Sequence, residues 1–215
     1  YHEGVAMTRK IGQRPMAERF DHLLKVIGSQ RFLKMESLNN DIPFFICDYR
    51  AFEAVEMAKL QKQLINRLGQ IGVHALEINL FDLSIDLLKS REGSDERSMW
   101  DQVIEEESGW SKEDLLELMQ NVLDPREHLI PEIAKRIGAM PHDVLFLTGV
   151  GEVFPYLRSH NILNNLQSTA KERPTVMFFP GGYAHSLELG TSLDLFDRLQ
   201  DDKYYRAFNI FDIQV

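Results

Sequence analysis

Val144-Leu145-Phe146-Leu147-Thr148-Gly149-Val150-Gly151-Glu152-Val153-Phe154-Pro155-Tyr156-Leu157-Arg158 is the stretch that decides the fold. Val144 to Leu147 is an unbroken apolar run, the pattern of a strand buried on both faces of a parallel sheet. Thr148-Gly149-Val150-Gly151 breaks the run with two glycines suited to a tight turn. Val153, Tyr156, Leu157, Ile162, Leu163 and Leu166 then trace a broken helical ridge. Strand, turn, helix is the repeating unit of an open α/β sheet, which holds ligands outside the carboxyl ends of its strands. A small-molecule site, if the chain has one, belongs here.

Working outward, residues 174–180 read as a fourth strand, closed by Pro180-Gly181-Gly182. Leu193, Leu195, Phe196 and Leu199 suggest a short helix, and residues 207–213 a fifth strand. Upstream, residues 42–47 make a first strand, with Asp48 placed to cap the next helix. Phe52, Val55, Leu60, Leu64, Leu68 and Ile71 predict that helix to be long and amphipathic, and residues 73–81 read as a second strand. Strand, helix, strand implies that the first two strands run parallel. Residues 83–140 contain helical patterns only, among them a capping-box start at Ser111 and Asp114. Residues 14–40 form a helical cap, with Phe20, Leu23, Leu24 and Ile27 as its apolar stripe and Gly28 as a stop. The expected architecture is α/β: a three-layer sandwich with a mostly parallel sheet of about five strands and a helical insertion between strands two and three. Residues 7–215 are expected to form one domain; residues 1–6, ahead of Met7, read as an appended leader.

The 215 residues are 44% hydrophobic, enough for one substantial core. No apolar run approaches the roughly 20 residues that span a bilayer. A single cysteine, Cys47, excludes an internal disulfide framework and suits a reducing cytosol, so a cytoplasmic protein is expected. The net charge of −9 opposes sequence-independent DNA binding, which needs a positive field.

Catalytic motifs are sparse. The chain has no Gly-Lys pair, so it lacks the phosphate-cradling Walker loop. Gly149-Val150-Gly151 begins like a dinucleotide fingerprint, but Phe154 stands where the third glycine belongs. Glu152 would repel a phosphate seeking the same turn. No zinc-ligand spacing and no Gly-x-Ser-x-Gly elbow occur. His160 and His185 follow strands three and four, and a catalytic role would require them to converge. His74, His128 and His142 suit packing or surface positions. Cys47 reads as a small buried hydrophobe. No catalytic, cofactor or metal residue is assigned, and no cofactor is expected. Aromatic and charged groups do gather near the carboxyl edge: Glu152, Phe154, Tyr156, Arg158, Tyr183, Tyr204, Tyr205 and Arg206. Such a mixture suits a protein interface or stacking on single-stranded nucleic acid, and the acidic total favours protein. Glu152, Phe154, Tyr156, Arg158, Tyr183, Tyr204 and Arg206 are the candidate partner-binding residues.

The strings Phe146-Leu147-Thr148-Gly149-Val150-Gly151-Glu152-Val153-Phe154-Pro155, Leu163-Asn164-Asn165-Leu166, Phe178-Phe179-Pro180-Gly181 and Asp201-Asp202-Lys203-Tyr204-Tyr205-Arg206-Ala207-Phe208 resemble the BrxB family. Pro43-Phe44-Phe45-Ile46 fits the same pattern. BrxB proteins are the small component of bacterial BREX phage-defence systems. The resemblance runs from about Arg14 to the C-terminus. It implies a cytoplasmic subunit working beside a methyltransferase, a large ATPase and the phosphatase-like PglZ protein. It brings no established catalytic residues. The expected role is a non-enzymatic accessory subunit that binds PglZ and other BREX components, without membrane association or direct nucleic-acid contact. The alternatives are a degenerate nucleotide-binding domain without Walker motifs, or a DNA-contacting subunit.

Overall fold

Every residue of the decisive strand, Val144–Thr148, is buried, as its unbroken apolar run requires. The computed structural model describes residues 10–36, 43–93, 96–186, 190–195, 199–201 and 207–214. In chain order these form α1 (Met16–Ile27), α2 (Gln30–Leu33), β1 (Phe44–Tyr49), α3 (Ala54–Gln70), β2 (Ala75–Asn79), α4 (Leu80–Ser90), α5 (Met99–Glu106), α6 (Lys112–Val122), α7 (Ile130–Ala139), β3 (Val144–Thr148), α8 (Ser159–Leu166), β4 (Thr175–Ser186), β5 (Gly190–Leu195), β6 (Leu199–Asp201) and β7 (Phe208–Asn209). Five strands pair in the order β2-β3-β4-β1-β7, all parallel.

Alternation along each strand builds the three layers. Phe44, Ile46, Ile78, Leu145, Leu147, Met177 and Phe179 face a core made with α4, α6, α7 and α8. Phe45, Cys47, Val144, Phe146, Val176 and Phe178 face the other side, against α1 and α3. The expected α/β sandwich is therefore the observed one. The helices between β2 and β3 are the crossover itself, elaborated. Ser111 and Asp114 close the capping box that opens α6.

Several local expectations are corrected. The predicted helix over Leu193, Leu195, Phe196 and Leu199 is instead, in its described residues, the strand pair β5 and β6, and Phe196 lies outside them. Leu193 and Leu195 alternate with Ser192 and Asp194, a period of two that pairs β5 antiparallel to the outer half of β4. For the same reason β4 does not stop at Pro180. It leaves the parallel sheet at Tyr49↔Pro180 and enters antiparallel pairing at Gly181↔Leu195. Two small residues suit that change of partner. The fifth strand of the core sheet is two residues long, because the Asn209 side chain accepts from Phe211 N at 2.9 Å and turns the chain into a 3₁₀ helix over Ile210–Asp212. Asp48 is not a cap; it is the fifth residue of β1. The buried stripe of α1 is Arg19, His22, Leu23, Val26 and Ile27, turned from the one expected. His22 Nε2 lies 3.2 Å from Ile210 O, tying α1 to the C-terminal turn.

Candidate functional site

The carboxyl edge of the sheet is where the topology would place a site, and its polar groups are bonded mainly to one another. Asn79, at the end of β2, caps α4: its Oδ1 accepts from Phe81 N at 2.9 Å and from Asp82 N at 3.2 Å. The cap sits against the Gly149 turn. Gly149 has φ +70°, and a Cβ there would collide with Asn79 Oδ1. The left-handed backbone and the closeness of Asn79 are thus two separate reasons for glycine at this turn. Thr148, buried, donates to Glu77 Oε1 at 2.8 Å across the β2–β3 ladder.

Residues 150–157 form turns rather than a helix, and α8 starts only at Ser159. The Gly149–Gly151 turn therefore does not open a helix, so no helix N-terminus stands behind it to hold a phosphate. The broken ridge read from the sequence is split accordingly, with Val153, Tyr156 and Leu157 on these turns and Ile162, Leu163 and Leu166 on α8.

At the end of β1 the half-buried Asp48 carboxylate joins three segments. Its Oδ1 accepts from Asn209 Nδ2 at 3.0 Å, and its Oδ2 takes a long contact from Tyr183 N at 3.4 Å. Burial holds its pKa above the usual carboxylate range, opposed in part by those two bonds, and the nearby Asp212 raises it further. The Tyr183 hydroxyl donates to Ala207 O, so the same node fastens the hairpin arm of β4 to the approach of β7. Asp48, Tyr49, Gly182, Tyr183 and Asn209 line the wall of a cleft of about 930 Å³, which continues past Phe45 and Phe208 to Phe32 and Arg31. A cleft of that size would admit a small molecule or a peptide side chain. Cys47, fully buried beside it, has its thiol pushed well up by burial and then by the Asp48 charge, the reverse of nucleophile activation.

Of the sequence-predicted partner residues, Glu152, Phe154, Tyr156 and Arg158 lie together on the turn after β3. Glu152 and Arg158 are exposed, while Phe154 and Tyr156 are half-buried against the core. Tyr183 is across the edge in the antiparallel part of β4, paired with Leu193, half-buried and bonded as described. Tyr204 and Arg206, with Tyr205, lie outside the described residues. His160 is in the first turn of α8, and the side chain of His185 lies outside the description, so their convergence stays an expectation. His74 is exposed and pairs with Asp143 at 3.4 Å. Among the described residues no group of His, Cys, Asp and Glu is placed to hold a metal ion. No described helix is long and apolar enough to cross a membrane.

Sequence reasoning missed the Asn79 cap, although Asn79 with Asp82 three residues later is a readable start signal. It also missed Arg19 and Glu53. Arg19, 4% exposed, grips both Glu53 oxygens through its guanidinium, one at 3.1 Å and one closer, and donates from Nε to Arg14 O at 2.8 Å. The Arg19 bond holds the Glu53 carboxyl below its usual range. No short-range pattern predicts a pair 34 residues apart in the chain.

The fold and edge define the class: a three-layer α/β protein with a parallel core sheet, a hairpin extension, and a carboxyl edge cross-linked by its own side chains. Within that class the chain belongs to the BrxB family. The profile described as "BREX protein BrxB" matches residues 76–210. The chain is 33% identical over 206 residues to the BREX protein BrxB of Bacillus cereus (strain H3081.97), covering 93% of this chain and 99% of that protein. It is 29% identical over 192 residues to the BREX protein BrxB of Escherichia coli O9:H4 (strain HS), covering 89% and 90%. No solved structure matches it significantly.

Proposed function

We propose that this chain is a non-enzymatic accessory subunit of a cytoplasmic BREX anti-phage assembly, and that its direct partner is the phosphatase-like PglZ component. The observation that carries the reading is how the carboxyl edge is used. An α/β enzyme keeps its polar groups there turned towards substrate. Here Thr148 is bonded to Glu77, Asn79 to the first turn of α4, and Asp48 to Asn209. Family membership supplies the assembly, and the acidic balance of the chain supports a protein partner over nucleic acid. The test is size-exclusion chromatography with light scattering on the chain mixed with PglZ of the same system. A joint peak at micromolar concentration is expected; two separate peaks would sink the reading.

The cleft beside Asp48 favours a second reading, a nucleotide-binding domain that has lost its Walker motifs. A ligand bound only by the folded chain raises its melting temperature by mass action. A nucleotide-dependent rise, absent in a Tyr49→Ala variant, would establish this reading in place of the first.

A further inference from the structure

Phe52 and Val55 are 79% and 70% exposed, the most exposed of the large apolar side chains described. They are three residues apart where the 3₁₀ turn Ala51–Glu53 runs into α3, so they share a face. Further along that face Lys59 and Lys62 are also exposed, and neither pairs with an acid among the described residues. Glu56 is the acid beside them. The buried stripe of α3, through Met57, Leu60, Leu64 and Leu68, is elsewhere, so the core has no use for this face.

The Ala51–Glu53 turn is also held more firmly than its exposure calls for. Arg19 clamps Glu53 from α1, and Glu53 Oε2 accepts from Arg50 N at 3.1 Å. Burying such an ion pair returns little net stability, because both charges lose water. What the clamp does achieve is a fixed turn with Phe52 on its outer side. A rigid exposed aromatic is the side chain that anchors protein interfaces, since little entropy is lost when it docks. The chain as a whole carries −9, yet this face is basic. Two copies meeting through the same face would set lysine against lysine.

We infer that the solvent face at the start of α3 is the docking surface for the partner protein. Phe52 and Val55 enter an apolar socket whose rim presents carboxylates to Lys59 and Lys62. The inference rests on the accessory-subunit reading and locates its contact away from the 150–158 turn. The experiment is biolayer interferometry of the full-length chain against PglZ at low and high salt, with light scattering on the chain alone. Phe52→Ser is expected to weaken binding by about tenfold or more, as loss of an interface anchor does. Lys59→Glu with Lys62→Glu is expected to weaken it at low salt and to flatten its salt dependence. Arg158→Glu is expected to bind like the wild type. Wild-type affinity in the Phe52 and lysine variants overturns the inference and leaves the accessory reading standing. A wild-type chain that does not bind PglZ removes both. Phe52-dependent self-association would assign the face to a second copy and overturn the inference as well.

Discussion

Phe178→Ala and Phe52→Ala make one chemical change at opposite ends of the burial scale. Phe178 is 1% exposed, in β4 between β3 and β1, with its ring edge-on to Phe146 at 5.2 Å. Burial of a phenylalanine side chain is worth roughly 1.5–3 kcal/mol by transfer alone. The void left by truncation adds about 24 cal/mol for each Å³ that the surroundings fail to fill. Loss of the edge-on pair adds about 0.5–1.5 kcal/mol. Strands hydrogen-bonded on both sides hold the backbone at fixed spacing and resist collapse into the void. The expected loss is therefore about 4–5 kcal/mol, towards the top of the range for such truncations. A chain of this size loses about 2–4 °C in melting temperature per kcal/mol, so the Phe178 variant melts roughly 8–20 °C early. Phe52, 79% exposed, has little packing to lose, and its variant stays within about 0.5 kcal/mol of the wild type. Thermal and urea unfolding, followed by circular dichroism, measure both. Equal shifts in the two variants, or a Phe178 variant melting within about 3 °C of wild type, would refute the burial argument and with it the placement of β4.

Gly149→Ala is expected to cost about 2–3 kcal/mol, from a left-handed backbone and the collision with Asn79. In the double variant with Asn79→Ala that cost should be less than additive; strict additivity in urea unfolding would separate the two residues. Asp48 holds its proton to higher pH in the folded chain than in the unfolded one. Between the ordinary carboxyl value and the raised folded value the folded state binds more protons, so stability falls as pH rises through that window. Asp48→Asn should remove this decline, and urea midpoints that run parallel with wild type across it would refute the assignment. Glu53 has the opposite sign: Arg19 lowers its folded value, so its contribution is present at neutral pH and lost as pH falls through that lowered value. Glu53→Ala should cost about 3 kcal/mol or more at neutral pH by leaving Arg19 buried without its partner, and a loss under about 1 kcal/mol would mean the guanidinium finds water instead.

What was legible in the sequence is what repeats along it. Val144–Thr148 and the run ending at Phe179 are buried on both faces, and an uninterrupted apolar string says so without further context. The long α3 and the helical crossover between β2 and β3 were readable from their spacing, and Ser111 from its capping box. The illegible parts depend on partners distant in sequence. Leu193 and Leu195 are too few to separate a period of two from a helical turn until β4 pairs with them. Asn209 shortens its strand through one side-chain bond, which competes on even terms with the ladder. Four of the candidate edge residues, Glu152, Phe154, Tyr156 and Arg158, are neighbours in sequence and so were readable together, whereas Asp48 and Asn209 join the candidate Tyr183 only because β1, β4 and β7 meet.

The same dependence explains why an exposed surface, rather than a pocket, was the hardest feature to foresee. Periodicity assigned Phe52 and Val55 to the apolar side of α3, since an apolar residue near a helix start is ordinarily buried. The helix actually buries the stripe that begins at Met57, and the turn before it is tied to α1 through Arg19 and Glu53. The clamp adds little net stability of its own, and the turn it ties to α1 leaves an aromatic in water, the arrangement expected of an interface anchor.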